Sequence, residues 1–511
     1  MYRLSYSKEK APKVAIVGNS VLKFHPVSKK AIQDATRAMF EGFVKEGAIS
    51  ADSIYIPAAF GQYQVTKLAA GLKAADLDMC LIINTAFPNG GTATILASFL
   101  KSIPLVVSSV PEGRFVNNHD WETNSVCGAL MNNNALNFME VYHKVIIGLP
   151  GTEEYDDAIR RMLAISYVVK QMRYDRLAAF GDRAPGFHAS SINNELADLR
   201  VFGTYVETIS LMAVQQVYDS MRCDGLAGTV SFTEEDVQAT VKEMKKDKIV
   251  ISPEEQIYRS ARYYNAFLAI IEANGLTSAA FRCWPEIQGS GINICLAIGL
   301  LMAKGHITGG GCERDVHVTI SQSILRHLAG KPAVCLDFVE MFGKNGKDLV
   351  QMGHCGCGIP GYMEPAPKEI LKRIKENEGR VPEDVVQGIH GGKINVRSTL
   401  MGSAVNFPTG YNIGPCLVGP MKFGTYTCMR IIPSEDLKSH KMLIFKGVSS
   451  EKTSQNTKIL SLDLTIDGDA RLLQEKVLEN GFPHHLAAVQ GDFVEELKEL
   501  CRFWKITPVY V

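Results

Sequence analysis

No stretch of this 511-residue chain is long and apolar enough to suggest a membrane span. The longest apolar run, around Ile294 to Met302, is broken by Gly299 and falls well short of the roughly 20 residues a spanning helix needs. Net charge is lacking too. The 54 Lys and Arg residues balance 54 Asp and Glu, so nothing advertises nucleic acid or an anionic membrane as a partner. The basic stretch Lys242 to Lys248 is interrupted by Glu243 and Asp247 and reads as a solvated helix face. The opening residues MYRLSYSKEKAPK carry charge but no apolar segment, so a secretory signal is not expected. The 12 cysteines follow no repeating framework. Without an export signal they read as reduced thiols in a cytoplasmic protein. Internal repeats and low-complexity tracts are also missing.

What is present is enough apolar material, 46% of residues, to build several cores, and the length calls for more than one domain. Compact apolar runs alternate with helical patterns in the first part of the chain. KVAIVG, SIYIPA, MCLIIN and PLVVSS are separated by helices across Ala31 to Glu46 and near Val65 to Ala75. Continuous apolar strands between helices predict a parallel sheet covered on both faces. Asn19, Asn84 and Ser108 fall at strand ends, where open α/β sheets bind ligands and where helix caps also occur. A second α/β unit starts after a helix over Asp156 to Arg173, with a further helix over Glu254 to Ala273 and a buried one in INICLAIGLLMAKG. After Gly358, recurring prolines and glycines separate short β-rich pieces (KINVRS, GTYTCMRII, KMLIFKG, ILSLDLTI), which predicts an antiparallel barrel or sandwich. The reading is α/β, in three domains: residues 1–172, a second α/β domain at 173–355 carrying the acids discussed next, and a β-rich barrel domain at 356–511.

Four segments carry groups that could bind a metal. GGGCERDVH places Glu313 after three glycines that permit close backbone approach. AVCLDFVEMF is an apolar strand ending in Asp337, GHCGCG contains His354, and GFPHHLAAVQ contains His484 and His485. Each has a plainer explanation. Glu313 suits the start of a helix, where the dipole favours an acid. Asp337 suits a cap or turn. Paired histidines on an extended segment face opposite ways, so at most one would be a ligand. Taken together, two carboxylates and imidazoles form a set suited to Mn²⁺, Co²⁺ or Mg²⁺. GHCGCG looks like a zinc clip, but its thiols, Cys355 and Cys357, are C-x-C with no second pair downstream, so a structural zinc module is not expected.

The run from CWPEIQGSGINICLAIGLLMAKGHITGGGCERDVHVTISQSILRHLAGKPAVCLDFVEM to LVQMGHCG resembles the L-fucose isomerase and L-arabinose isomerase superfamily, closest to the L-fucose isomerase-like proteins. In that family an acid after a short glycine or cysteine turn corresponds to Glu313, and a second acid matches Asp337, 24 positions on. The arabinose branch adds a histidine 17 positions further, matching His354, and a late histidine pair matching His484 and His485, of which comparison favours His485. DRAPGFHASSINNELADLRVFGTYVE also has the family's look, and the stretch from Asn117 to Asn134 belongs near the substrate loop of such enzymes. The resemblance implies two Rossmann-like domains followed by a barrel, Mn²⁺ dependence, and trimers or hexamers with shared active sites. Aspartate as second acid follows the fucose branch, whereas the spaced histidine and the HH pair follow the arabinose branch, so the substrate is inherited from neither.

The expectation is a metal-dependent aldose–ketose isomerase for an open-chain sugar: a deoxy-sugar, a pentose or a C6-modified hexose such as a sulfosugar. Glu313 and Asp337 would move a proton between C1 and C2 through a cis-enediol, beside a metal held with His485 and His354. Trp284 and Gln288 would line the sugar pocket, and Arg314, Arg282 or Lys422 would meet a charged substituent. The rivals are a metal-dependent sugar aldolase or lyase and a non-catalytic sugar-binding protein.

Overall fold

The protein is described here from a computed structural model covering residues 1–21, 26–59, 61–88, 90–112, 123–190, 195–341, 348–354, 356, 358–390, 399–402, 414–450 and 460–511. KINVRS, Cys355 and Cys357 lie outside these residues, as does part of the stretch Asn117 to Asn134. The chain divides into two compact units, Met1–Arg173 with Lys498–Lys505, and Tyr174–Leu497 with Ile506–Val511.

The first unit holds a parallel sheet of β1 (Val14–Asn19), β2 (Ile54–Ala59), β3 (Met79–Asn84), β4 (Leu105–Ser109) and β5 (Lys144–Ile147), in the order β2-β1-β3-β4-β5. Every residue of β1, β3 and β4 is buried, as expected of strands covered by helices on both faces. Among the described residues the polar strand ends bond to side chains of one another and of neighbouring elements. Asn19 Nδ2 donates to Asn84 Oδ1 at 3.0 Å, Asn84 Nδ2 to Ser109 Oγ at 3.0 Å, and Ser108 meets the Tyr155 hydroxyl at 2.7 Å. They form a buried network that ties the carboxyl ends of three strands together.

The second unit begins with a parallel sheet of β6 (Arg176–Phe180), β7 (Tyr205–Ile209), β11 (Ser278–Phe281) and β12 (Gly310–Cys312), ordered β12-β11-β6-β7. A small hairpin, β8 (Arg222–Gly225) and β9 (Gly228–Ser231), lies between. The remaining strands, β10 (Ile249–Val250), β13 (Val334–Glu340), β14 (Leu349–His354), β15 (Thr399–Gly402), β16 (Pro415–Pro420), β17 (Gly424–Pro433), β18 (His440–Ser449), β19 (Leu460–Ile466), β20 (His485–Gln490) and β21 (Thr507–Tyr510), form one mixed sheet. Because β19 pairs with both β14 and β18, the strands β19-β14-β13-β20-β17-β18 close on themselves as a barrel. Closure removes the exposed edges that such short strands would otherwise present. The α/β architecture with a barrel towards the C-terminus is therefore present, but β13 and β14 belong to the barrel sheet. Asp337 and His354 thus lie on barrel strands, not in the second parallel sheet.

Two glycines of GHCGCG lie against β16, Gly356 on the Cys416 side chain and Gly358 on the Leu417 carbonyl. A Cβ on Gly356 would overlap Cys416, and one on Gly358 would press on Leu417, while Gly299 lets its buried helix, Cys295–Lys304, reach the Gly358 carbonyl. They close the packing of the loop on β16.

Candidate metal centre and active site

Three loops at the carboxyl ends of β6, β11 and β12 converge where open α/β sheets place ligands. After β12 the chain makes a tight turn in which both Glu313 (φ 54°) and Arg314 (φ 60°) are left-handed. Such backbone costs an L residue about 1 kcal/mol or more, so the turn must be held from outside. The Arg314 amide donates to Phe281 O at 3.0 Å, and its guanidinium to Gly181 O at 2.8 Å and Thr208 Oγ1 at 3.1 Å. Arg314 is buried, and desolvation pulls its pKa below the ordinary arginine value. These donors bind β6 and β7 to the turn. The glycines beforehand let β12 lie against its flanking helices, since a Cβ on Gly311 would strike Thr319 and Asp315, and one on Gly310 would crowd Met302 and Ile298.

Asp315, not Glu313, is the cap of the following helix Val316–Ala329, its carboxylate accepting the Val318 amide at 3.0 Å. Its second oxygen accepts from Arg430 Nη1 at 2.7 Å and His485 Nδ1 at 3.0 Å. Burial opposes ionisation of Asp315, but Arg430 and His485 outweigh it and hold the carboxyl well below the usual range. Sequence reasoning missed both Asp315 and Arg430. The position of Asp315 two residues after Glu313, before a helical pattern, was a capping signal; Arg430 left none.

Asp337 sits inside β13, not at a cap or turn. Its Cα is paired with His485 on one side and Gly353 on the other. Directly opposed residues share a sheet face, so Asp337 and His485 meet. His485 Nε2 lies 3.4 Å from Asp337 Oδ1 and 3.7 Å from Glu313 Oε2. Both oxygens are buried and find no hydrogen-bond donor. With Nδ1 donating to Asp315, Nε2 is the nitrogen turned to the two orphaned carboxylate oxygens, and in the neutral ring its lone pair would share a cation with them. A carboxylate–histidine pair of this kind orients imidazoles on metals, and the donor set fits a divalent ion. Burial lowers the His485 pKa, but Cys335, Asp315 and Asp337 overcome that and push it up to about 10, so the ring keeps a proton on Nε2 unless a cation replaces it.

His484 falls in a bend before β20, so the alternation expected of a strand does not apply. Its ring centroid is 4.2 Å from that of His485, and its Nε2 is 3.5 Å from Glu313 Oε2. Donor atoms of Glu313, His484 and His485 lie within 4.8 Å of one another and could hold a metal ion. His354 groups instead with Cys335 and His485. Its Nδ1 accepts the Gly356 amide at 3.2 Å, which in a neutral ring leaves the proton on Nε2, a donor rather than a metal lone pair.

The open side has an aromatic wall. Phe187, after β6, packs 5.6 Å from Trp284 and 5.9 Å from His484. Gln288 is buried, with its amide nitrogen at Cys283 Sγ and its Oε1 without a donor. Arg282, beside Trp284, is ion-paired with Glu286 and has a buried Nε without an acceptor.

No family model matches the chain. Among curated proteins it is similar to the sulfoquinovose isomerases of Priestia aryabhattai and Priestia megaterium, 24% identical over 448 residues, 86% of this chain and 87% of theirs. The sulfoquinovose isomerase of Alkalicoccus urumqiensis is 23% identical over 80% of this chain and 81% of its own. Among solved structures, an ABC transporter periplasmic solute-binding protein from Actinobacillus succinogenes 130z with bound D-allose aligns over 63% of this chain and 92% of its own, with 11% identity. Its TM-score of 0.17 carries no argument. The likeness to the isomerases runs through most of both chains and identifies this chain as an enzyme, an isomerase of the intramolecular-oxidoreductase class.

Proposed function

We propose that the protein is a metal-dependent aldose–ketose isomerase whose substrate is an open-chain hexose with a sulfonate at C6, of the sulfoquinovose type. The observation that carries the metal is the pair of orphaned oxygens, Glu313 Oε2 and Asp337 Oδ1, facing the Nε2 of a histidine oriented by Asp315. Glu313, Asp337 and His485 are the ligand set. A divalent ion such as Mn²⁺ would supply electrostatic stabilisation of negative charge on O1 and O2 of the sugar. Glu313 and Asp337 move the proton between C2 and C1 through a cis-enediol, a transfer that needs two carboxylates on facing segments. His354 presents Nε2–H as a hydrogen-bond donor, and Trp284 with Phe187 screens the reacting carbons from water.

The sulfonate falls to Arg282. Its loop carries Trp284, its Nε lacks an acceptor, and the Arg314 contacts are internal. Mn²⁺ dependence and assembly into trimers or hexamers with shared sites follow from the family resemblance, and a cytoplasmic location from the reading of the cysteines as reduced thiols.

NMR of products after incubation with sulfoquinovose and a panel of unsubstituted aldoses tests this reading. The expected product is the 2-ketose of the sulfonated sugar, with Arg282→Ala raising KM for that sugar and not for its 6-deoxy analogue. Cleavage fragments would identify an aldolase or lyase, and binding without turnover a sugar-binding protein.

A further inference from the structure

A second carboxylate–imidazole cluster lies apart from the residues assigned above. Asp198 is on the helix Glu195–Val201, His317 on the helix that begins after Asp315, and His440 at the start of β18. All three side chains are at most 1% exposed. His317 Nε2 is 3.1 Å and His440 Nε2 2.8 Å from the same oxygen, Asp198 Oδ1. Asp198 Oδ2 is buried and receives no donor. Two imidazoles joined to a carboxylate by hydrogen bonds alone would gain by using one oxygen each, because an orphaned buried oxygen forfeits its solvation. Crowding both nitrogens at one oxygen is the arrangement expected of donors around an ion. For bonds of about 2.1 Å, separations of about 3 Å match an octahedral edge and are shorter than the tetrahedral edge of about 3.4 Å, and a bidentate Asp198, which would also employ Oδ2, raises the coordination number in that direction.

We propose that Asp198, His317 and His440 hold a second divalent ion, of the Zn²⁺ class, that is structural and distinct from the ion assigned to Glu313, Asp337 and His485. Two neutral imidazoles and one carboxylate are a borderline donor set that suits zinc. The other nitrogen of His440 finds no protein acceptor, so its ring is fixed by packing 4.8 Å from Phe202 rather than by a second hydrogen bond. A cavity of about 540 Å³, lined in part by His317, Arg430, Asn480 and Pro483, lies beside the cluster. The ion joins a helix of the second parallel sheet, the helix behind the Glu313 turn, and a barrel strand.

The test is metal stoichiometry of the full chain, stripped with a chelator and titrated with Zn²⁺ or Co²⁺ alone. Wild type is expected to bind two equivalents and the double variant Glu313→Gln, Asp337→Asn one. Chelation should then lower the Tm of that double variant, a shift a merely hydrogen-bonded cluster would not show. Asp198→Asn should remove one equivalent from wild type. A double variant that binds no metal, with a Tm indifferent to chelator, overturns the proposal even if Asp198→Asn fails to fold. A double variant that still binds two equivalents, one of them lost with Asp198→Asn, upholds the second site and overturns the assignment of the first.

Discussion

Two carboxylate–imidazole clusters flank the start of one helix, Val316–Ala329, and they differ in access. Around Asp198 the three side chains are sealed, and the carboxylate meets only imidazoles. Around His485 the imidazole is equally sealed, but Asp337 is 35% exposed and Glu313 19%. On the roles proposed above, the same chemical parts serve different ends: the closed cluster would join elements together, whereas the open one, with a buried orienting pair behind it, would leave its carboxylates free to work on a substrate. Asp315 is the hinge of the comparison, since its carboxylate caps the helix, neutralises Arg430 and orients His485.

The largest expected effect breaks the open cluster. Glu313→Gln and Asp337→Asn should each lower kcat by about 10³-fold with little change in Tm, because general acid–base groups contribute about 10²–10⁴. Asp198→Asn should show the reverse pattern, a fall in Tm with kcat within a few-fold of wild type. Asp315→Asn tests the orienting role and should weaken metal binding or activity by about 10–100-fold, measured as the Mn²⁺ concentration for half-maximal rate. Arg430→Met leaves the Asp315 charge buried with one partner fewer, and urea unfolding should report a loss of about 3 kcal/mol. Adding Asp315→Asn to it should recover part of that loss, the sign of direct coupling.

The smallest effect concerns a buried carboxylate in neither cluster. Asp463, on β19, has its pKa raised by burial from 3.8 to about 6. Its native form favours the proton, so its contribution to stability falls as pH rises from about 3.8 to about 6 and stays level above that. Asp463→Asn should therefore stabilise the protein at neutral pH by on the order of 1 kcal/mol and do nothing below pH 3.8. Equal effects at both pH values would remove the contrast with the paired Asp198 and Asp315.

Much of the scaffold is readable from local pattern. MCLIIN becomes β3 over the same residues, Met79–Asn84, and INICLAIGLLMAKG becomes the buried helix Cys295–Lys304, because runs this apolar must be covered. Glu313 and Asp337 stood out through the family resemblance of their segments, and the structure brings both to His485. Three points were not readable. Barrel membership of β13 is decided by pairing with strands far along the chain, and β20, its partner, begins near residue 485. The opposite-face argument for His484 and His485 failed because a bend precedes β20. Asp198 and His440 stand 242 residues apart, and no local periodicity can show that two such residues share one oxygen atom.

The central claim is that Glu313 and Asp337 move a proton between neighbouring sugar carbons. The most direct test is isomerisation of sulfoquinovose in D₂O by the Mn²⁺-loaded enzyme, followed by NMR, with Glu313→Gln and Asp337→Asn alongside. The account predicts solvent deuterium at C2 of recovered aldose with wild type, and neither exchange nor product with the variants. Product formed at wild-type rate by both variants, or transfer of the C2 hydrogen with no solvent deuterium at all, would contradict it.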